Sequence, residues 1–183
     1  MLKLSSTEAL TGGFKANMAD NLVYWIWLSL LSSKIGSRKC NELICHYGNP
    51  KNIWEASKTE HSRLTFASYA LIEQLSDERN KKDAAVYLKK TIDLGIDIIT
   101  VKDEQYPGCL KKIYDPPVVL YIFGKLEKDE KVIAMVGARN ATTYGLRMAE
   151  KLSYELSMQG FAIASGMARG VDSHAHRGAL DAG

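Results

Sequence analysis

The sequence has few cysteines. Its three, Cys40, Cys45 and Cys109, show neither metal-ligand nor redox spacing, and their odd number argues against a disulfide framework. A reducing cytoplasm is the expected setting. A strong excess of one charge is also lacking. The 24 Lys and Arg against 21 Asp and Glu leave +3, spread as mixed charges rather than blocks, which permits a nucleic-acid partner without singling one out. The apolar run Leu22–Leu31 (LVYWIWLSLL) is too short to span a bilayer. It also lacks the basic lead-in and cleavage site of a signal peptide, so a buried helix is expected and no membrane partner. No Walker P-loop, three-glycine dinucleotide fingerprint, Ser–His–Asp arrangement, paired-carboxylate pattern, metal motif, internal repeat or low-complexity tract is visible. No cofactor is therefore expected.

What is present is concentrated in Lys131–Leu180. Lys131–Val136 (KVIAMV) is a short β-branched apolar run that fits a buried parallel strand. Gly137 ends it, and Ala138–Thr143 (ARNATT) forms a polar turn with one cation, Arg139. Tyr144–Met158 sets Leu146, Ala149, Leu152 and Leu156 at helical spacing, and Gly160 is the expected stop. Phe161–Ala164 reads as a second strand, Ser165–Gly170 (SGMARG) as a second glycine turn, and Val171–Leu180 as the start of another helix. This is a βαβ unit with a right-handed crossover, followed by a further helix.

In such a unit both glycine turns fall at the C-terminal ends of neighbouring parallel strands, where open α/β sheets bind ligands. Backbone N–H groups and helix N-termini point outward there, and Arg139 and Arg169 add two permanent cations. The chemistry suits a phosphate-type anion, although the pattern alone leaves the ligand unnamed.

The rest of the chain is mostly helical by pattern. Residues 1–20 have no clear period and read as a disordered leader, or as a segment ahead of a true start near Met18. Residues 21–75 read as short helices: Leu22–Leu31; Arg38–Tyr47, with Cys40, Leu43, Ile44 and Tyr47 on its apolar face; and Lys51–Ala56. Trp25, Trp27 and Trp54 are expected to build their core. Ser32–Lys39 (SSKIGSRK) is similar to a degraded helix-hairpin-helix turn, a weak candidate for phosphate contact. Ser76–Leu94 is expected to be a long linking helix opening the second domain, 76–183. Ile96–Val101 and Val118–Phe123 are expected strands that extend the sheet.

Three residues look catalytic on paper: Asp172, His174 and His176. On a helix the two histidines point about 200° apart and cannot share one metal. Asp172 and His176, four apart, are expected to shape the loop, with Asp172 capping the helix and His176 packed behind it. His46 and His61 read as structural or exposed.

Two longer motifs then carry a resemblance. Val136–Gly145 (VGARNATTYG) and Ser165–Leu180 (SGMARGVDSHAHRGAL) resemble the DNA-processing protein A family, DprA/Smf, with Tyr106–Pro107, Leu110–Pro117 and Val119–Gly124 as its lead-in. Ala138 departs from the Ser or Thr many members carry, losing a hydroxyl while keeping glycine and arginine.

The resemblance implies an α/β fold: a small SAM-like, helix-hairpin-helix-type helical domain, used chiefly for protein contacts, then an extended Rossmann-like parallel sheet. It implies a cytoplasmic protein of natural transformation and competence, not an enzyme, which shields incoming single-stranded DNA and loads the RecA recombinase. The phosphate-holding residues would be Gly137, Arg139, Asn140, Ser165, Gly166, Met167, Ala168 and Arg169. A Rossmann-type nucleoside-monophosphate phosphoribohydrolase of the lysine-decarboxylase-like kind is the alternative. It would need a P-G-G-x-G-T-x-x-E motif, absent from these residues. The family pattern continues beyond Gly183 into further strands, which hold much of its homodimer and RecA surfaces. A sheet cut there is expected to expose an edge, to self-associate or fray, and to bind DNA poorly.

Overall fold

The computed structural model describes the backbone of residues 7–126 and 131–183, and the side chains of these from Asn21 onward. The chain divides into two compact units, Met1–Leu126 and Glu127–Gly183.

The first unit is built on helix α1 (Thr7–Ile35). Its apolar centre packs on all sides: Ile26, Trp27 and Leu28 are fully buried. The expected leader is therefore helical from Thr7, and only residues 1–6 of it lie outside the described residues. Once the buried segment nucleates the helix, each added residue costs little. Gly36, at φ 84°, ends this helix and starts α2 (Ser37–Tyr47), which turns Cys40, Leu43 and Ile44 inward. Asn49 caps α3 (Pro50–Glu55), with Pro50 at the first turn. A Ser57–Glu60 capping box starts α4 (Lys58–Ser62), and Ser68 caps α5 (Tyr69–Ser76).

The expected long helix over Ser76–Leu94 forms, with its first helical residue at Glu78. Asp77 leaves helical geometry and caps α6 (Glu78–Asp93) through the Arg79 N–H at 2.9 Å. Helix α6 packs on α1, buries Ala84 in the same core, and holds Lys34 through Asn80 at 2.8 Å. It is a member of the helical unit rather than a bridge out of it.

Strands β1 (Asp97–Thr100) and β2 (Val119–Ile122) correct a second expectation. They pair antiparallel, Asp97 opposite Ile122 and Thr100 opposite Val119, with α7 (Gly108–Lys111) between them. Val118 and Val119 belong to the helical core and Ile98 packs against it. Among the described residues these strands form a sheet of their own and do not extend the parallel pair. Their apolar side chains find the helices' core, so the first unit ends at Leu126 rather than near residue 75.

The second unit is the βαβ element and its following helix. Strands β3 (Val132–Ala134) and β4 (Ala162–Ala164) pair parallel in the register Val132–Ala162, Ile133–Ile163 and Ala134–Ala164. Helix α8 (Thr143–Met158) connects them, and α9 (Val171–Asp181) follows β4. Gly160 takes φ 80° just past the end of α8, where a Cβ would be strained. The two helices lie close along one line. A Cβ on Gly178 would fall on the Glu150 backbone, 2.8 Å from its carbonyl carbon, while Ala149 and Ala175 are buried.

Candidate functional site

Both glycine turns sit at the C-terminal ends of β3 and β4, and they touch. Gly137 has no room for a side chain: a Cβ would lie 2.6 Å from the Val171 side chain. Gly170 takes φ 90°, and a Cβ there would lie 2.5 Å from the Arg139 carbonyl oxygen. The Val171 N–H donates to the Ala138 carbonyl at 3.3 Å. Glycine therefore does two things here: it permits the turn, and it lets one turn's backbone rest on the other's.

The first turn is held at its far end by Thr142, whose hydroxyl accepts from the Gly145 N–H at 3.2 Å and caps α8. Between that cap and Gly137, Arg139 and Asn140 are exposed.

The second turn is held from beneath. The Ser165 hydroxyl donates to the Met135 carbonyl at 2.7 Å, tying β4 to β3. His176 Nε2 lies 3.3 Å from the Ser165 carbonyl oxygen. Asp172 is buried and accepts from the Ala168 N–H at 3.4 Å. The helix cap position is Gly170, which has no side chain to offer, so Asp172 is not the cap but stands in the first turn and reaches back into the loop. Asp172 and His176 thus grip different atoms of one turn rather than each other. Gly166, Met167 and Arg169 are exposed, while Ser165 and Ala168 are half-buried.

The Asp172 carboxylate has a consequence for anions. It places a negative group at the N-terminus of α9, inside the second turn, where a phosphate would otherwise benefit from the helix dipole. The exposed cations of the two turns are Arg139 and Arg169.

His174, paired on paper with His176, turns the other way and meets Glu150 of α8 at 2.7 Å. That contact joins two helices and leaves the turns alone. Among the described residues no group of three His, Cys, Asp or Glu is placed to hold a metal. Glu150, Val171, Met135 and Thr142 contribute to the site without having stood out in the sequence. A glycine inside a helix, Gly178, was the one available signal of close packing.

The profile of the DNA recombination-mediator protein A family matches residues 97–183. Protein Smf of Synechocystis sp. is 30% identical over 162 residues, which cover 86% of this chain and 40% of that protein. Over residues 97–183 the chain is similar to the DprA/Smf family. DNA processing protein DprA of Bacillus subtilis is 42% identical over 91 residues, 48% of this chain and 30% of that protein. The X-ray structure of DprA from Streptococcus pneumoniae shares the fold, with a TM-score of 0.53 at 23% identity over 99% of this chain and 56% of that one. The α/β class therefore holds, and the chain spans less than half the length of these curated relatives.

The DprA/Smf-like edge is not the only basic turn in the chain. In Ser32–Lys39, however, Lys34 donates to Asn80 at 2.8 Å, and Arg38 is held by Glu42 at 3.0 Å and by the Tyr114 hydroxyl. Two of its three cations are already engaged within the helical unit. That turn has less to offer a phosphate than Arg139 and Arg169 have. Among the described residues no helix is long and apolar enough to cross a membrane.

Proposed function

We propose that the edge formed by the two glycine turns grips the phosphate chain of single-stranded DNA, without chemistry of its own. The observation that carries this reading is the mutual locking of the turns. Gly170 and Val171 fix the backbone on either side of Arg139, so an exposed guanidinium stands on a rigid base. A preset cation loses less freedom on binding than a mobile one, and a guanidinium meets phosphate through two hydrogen bonds. Gly137, Asn140, Ser165, Gly166, Ala168, Arg169 and the backbone of Met167 complete the edge, with Asp172 and His176 shaping it.

The relatives' names speak of DNA processing and recombination mediation. They support a cytoplasmic role in natural transformation, in which the protein covers incoming single strands and hands them to the RecA recombinase. A homodimer is the assembly the family resemblance suggests. The domain scheme of a SAM-like helical part before a Rossmann-like part belongs to the same proposal.

The test is fluorescence anisotropy of a labelled oligo-dT against this chain and Arg139→Ala across a salt series. Affinity should fall as salt rises, because bound counterions are released, and the variant should lose about 0.7 of the log–log slope for its one lost phosphate contact. Equal binding and equal slope in the two proteins would remove Arg139 from the site.

A further inference from the structure

We propose that Met167 is a base-contacting residue of this edge, a thioether laid against the faces of unstacked nucleobases. The inference rests on the phosphate grip argued above. Among the described residues Met167 is the one non-glycine residue with positive φ, at 53°. Elsewhere the chain uses glycine for that geometry, at Gly36, Gly48, Gly95, Gly124, Gly160, Gly170 and Gly183. A side chain in left-handed backbone is strained, and such strain persists only where the surroundings impose it.

They do impose it here. Ser165 before Met167 is tied to Met135 at 2.7 Å, and Ala168 after it is tied to Asp172 at 3.4 Å. In return the side chain buries little within the unit, since the residue is 82% exposed. The chain thus pays twice at this position, in backbone strain and in an exposed apolar group, where glycine would remove both costs.

The position says what the side chain is for. Arg169 lies two residues on, and the next residue, Gly170, carries the backbone of Arg139 against it. A strand held there by its phosphates brings its bases within reach of the turn. Methionine is unbranched and polarisable, so it contacts any base face without reading a hydrogen-bond pattern. Such contact is sequence-tolerant and requires an unstacked base, which favours single strands over duplex.

The experiment compares the full chain, Met167→Gly, Met167→Leu and Arg139→Ala. Each is titrated with an oligo-dT and with an abasic tetrahydrofuran-phosphate oligomer of equal length, and each is melted thermally. Met167→Gly should melt no lower than the parent, since it relieves strain. It should weaken dT binding by about two- to tenfold and leave abasic binding unchanged. Met167→Leu should retain dT binding, and Arg139→Ala should weaken both oligomers. Equal loss on both oligomers for Met167→Gly, or no loss on dT, overturns the base contact while an Arg139→Ala effect keeps the phosphate grip. No effect of Arg139→Ala, or no binding of either oligomer by the parent chain, removes the phosphate reading and this inference with it.

Discussion

In the helical unit large side chains meet; in the βαβ unit backbones meet. Trp27 is fully buried, edge-on to Trp54 at 5.3 Å, which in turn is edge-on to Tyr24 at 5.2 Å and lies beneath the Lys81 ammonium at 5.0 Å. Ile26, Leu28, Leu31, Leu43 and Ile53 fill the space around them. Burying each such aliphatic side chain contributes about 1.5–3 kcal/mol. The buried residues of the second unit are instead small: Ala149, Ser153, Ala175 and Gly178, with Asp172 among them. Its larger apolar residues, such as Val136 at 79% and Leu180 at 79%, are exposed. The first arrangement resists change through volume, the second through the absence of side chains where backbones touch. The first suits a scaffold, and the second brings two loops together with their cations outward.

The comparison can be broken most forcefully at Trp27. Trp27→Ala should destabilise the helical unit by roughly 3–5 kcal/mol, measured by urea unfolding, because transfer and cavity costs add. A loss under about 1 kcal/mol would mean that the aromatic cluster is not what holds the unit together.

Gly178→Ala probes the other mode. Glycine to alanine inside a helix ordinarily stabilises by about 1 kcal/mol. Here the new Cβ would meet the Glu150 backbone, so the sign should reverse to a loss of roughly 1–3 kcal/mol. Amide hydrogen exchange in α8 and α9 would report it, and unchanged or slower exchange would show that the helices can part without cost.

A smaller effect follows from pH. His61 is buried with its Nδ1 3.0 Å from the Tyr47 hydroxyl, and burial holds its pKa below the ordinary value, only partly opposed by Glu60. The neutral ring is the folded form. The unfolded chain therefore binds the proton more readily, so this contribution is present above about pH 6.5 and is lost as pH falls through the lower folded pKa. The helical unit should lose stability on acidification below pH 6.5, and His61→Phe should flatten that limb of the curve. A parallel curve for the variant would assign the loss to other groups.

The smallest perturbation is chemical labelling. Burial pushes the Cys40 thiol up to about 12, whereas Cys45 and Cys109 are exposed. A thiol reagent should modify Cys45 and Cys109 in the folded protein and Cys40 only after unfolding. Prompt modification of all three thiols would show that the helical core opens readily.

Elements and turn chemistry were legible in the sequence because they are local. The β-branched run before Gly137, the helical spacing of Ala149 and Leu156, and the stop at Gly160 depend on neighbours a few residues apart. The helix over Leu22–Leu31 and its tryptophan core were legible for the same reason. Partnership was not. A four-residue apolar strand such as β2 carries no mark of whether it will join a parallel sheet or cover a helical core, since either buries Val119. The exact first residue of the helix expected over Ser76–Leu94 was not legible either: Asp77 stays outside α6 because its side chain caps it. Likewise Asp172 and His176 were seen as a pair at helical spacing, while their partners, Ala168 and Ser165, were set by how the turn folds over the helix. What the sequence by itself determined is where strands, helices and glycine turns lie and which cations the turns carry. Only the tertiary structure decided that the two turns rest on each other at Gly170 and that Met167 stands strained and exposed above them. The physical reason is that close approach and enforced strain are properties of segments brought together, and no single segment encodes them.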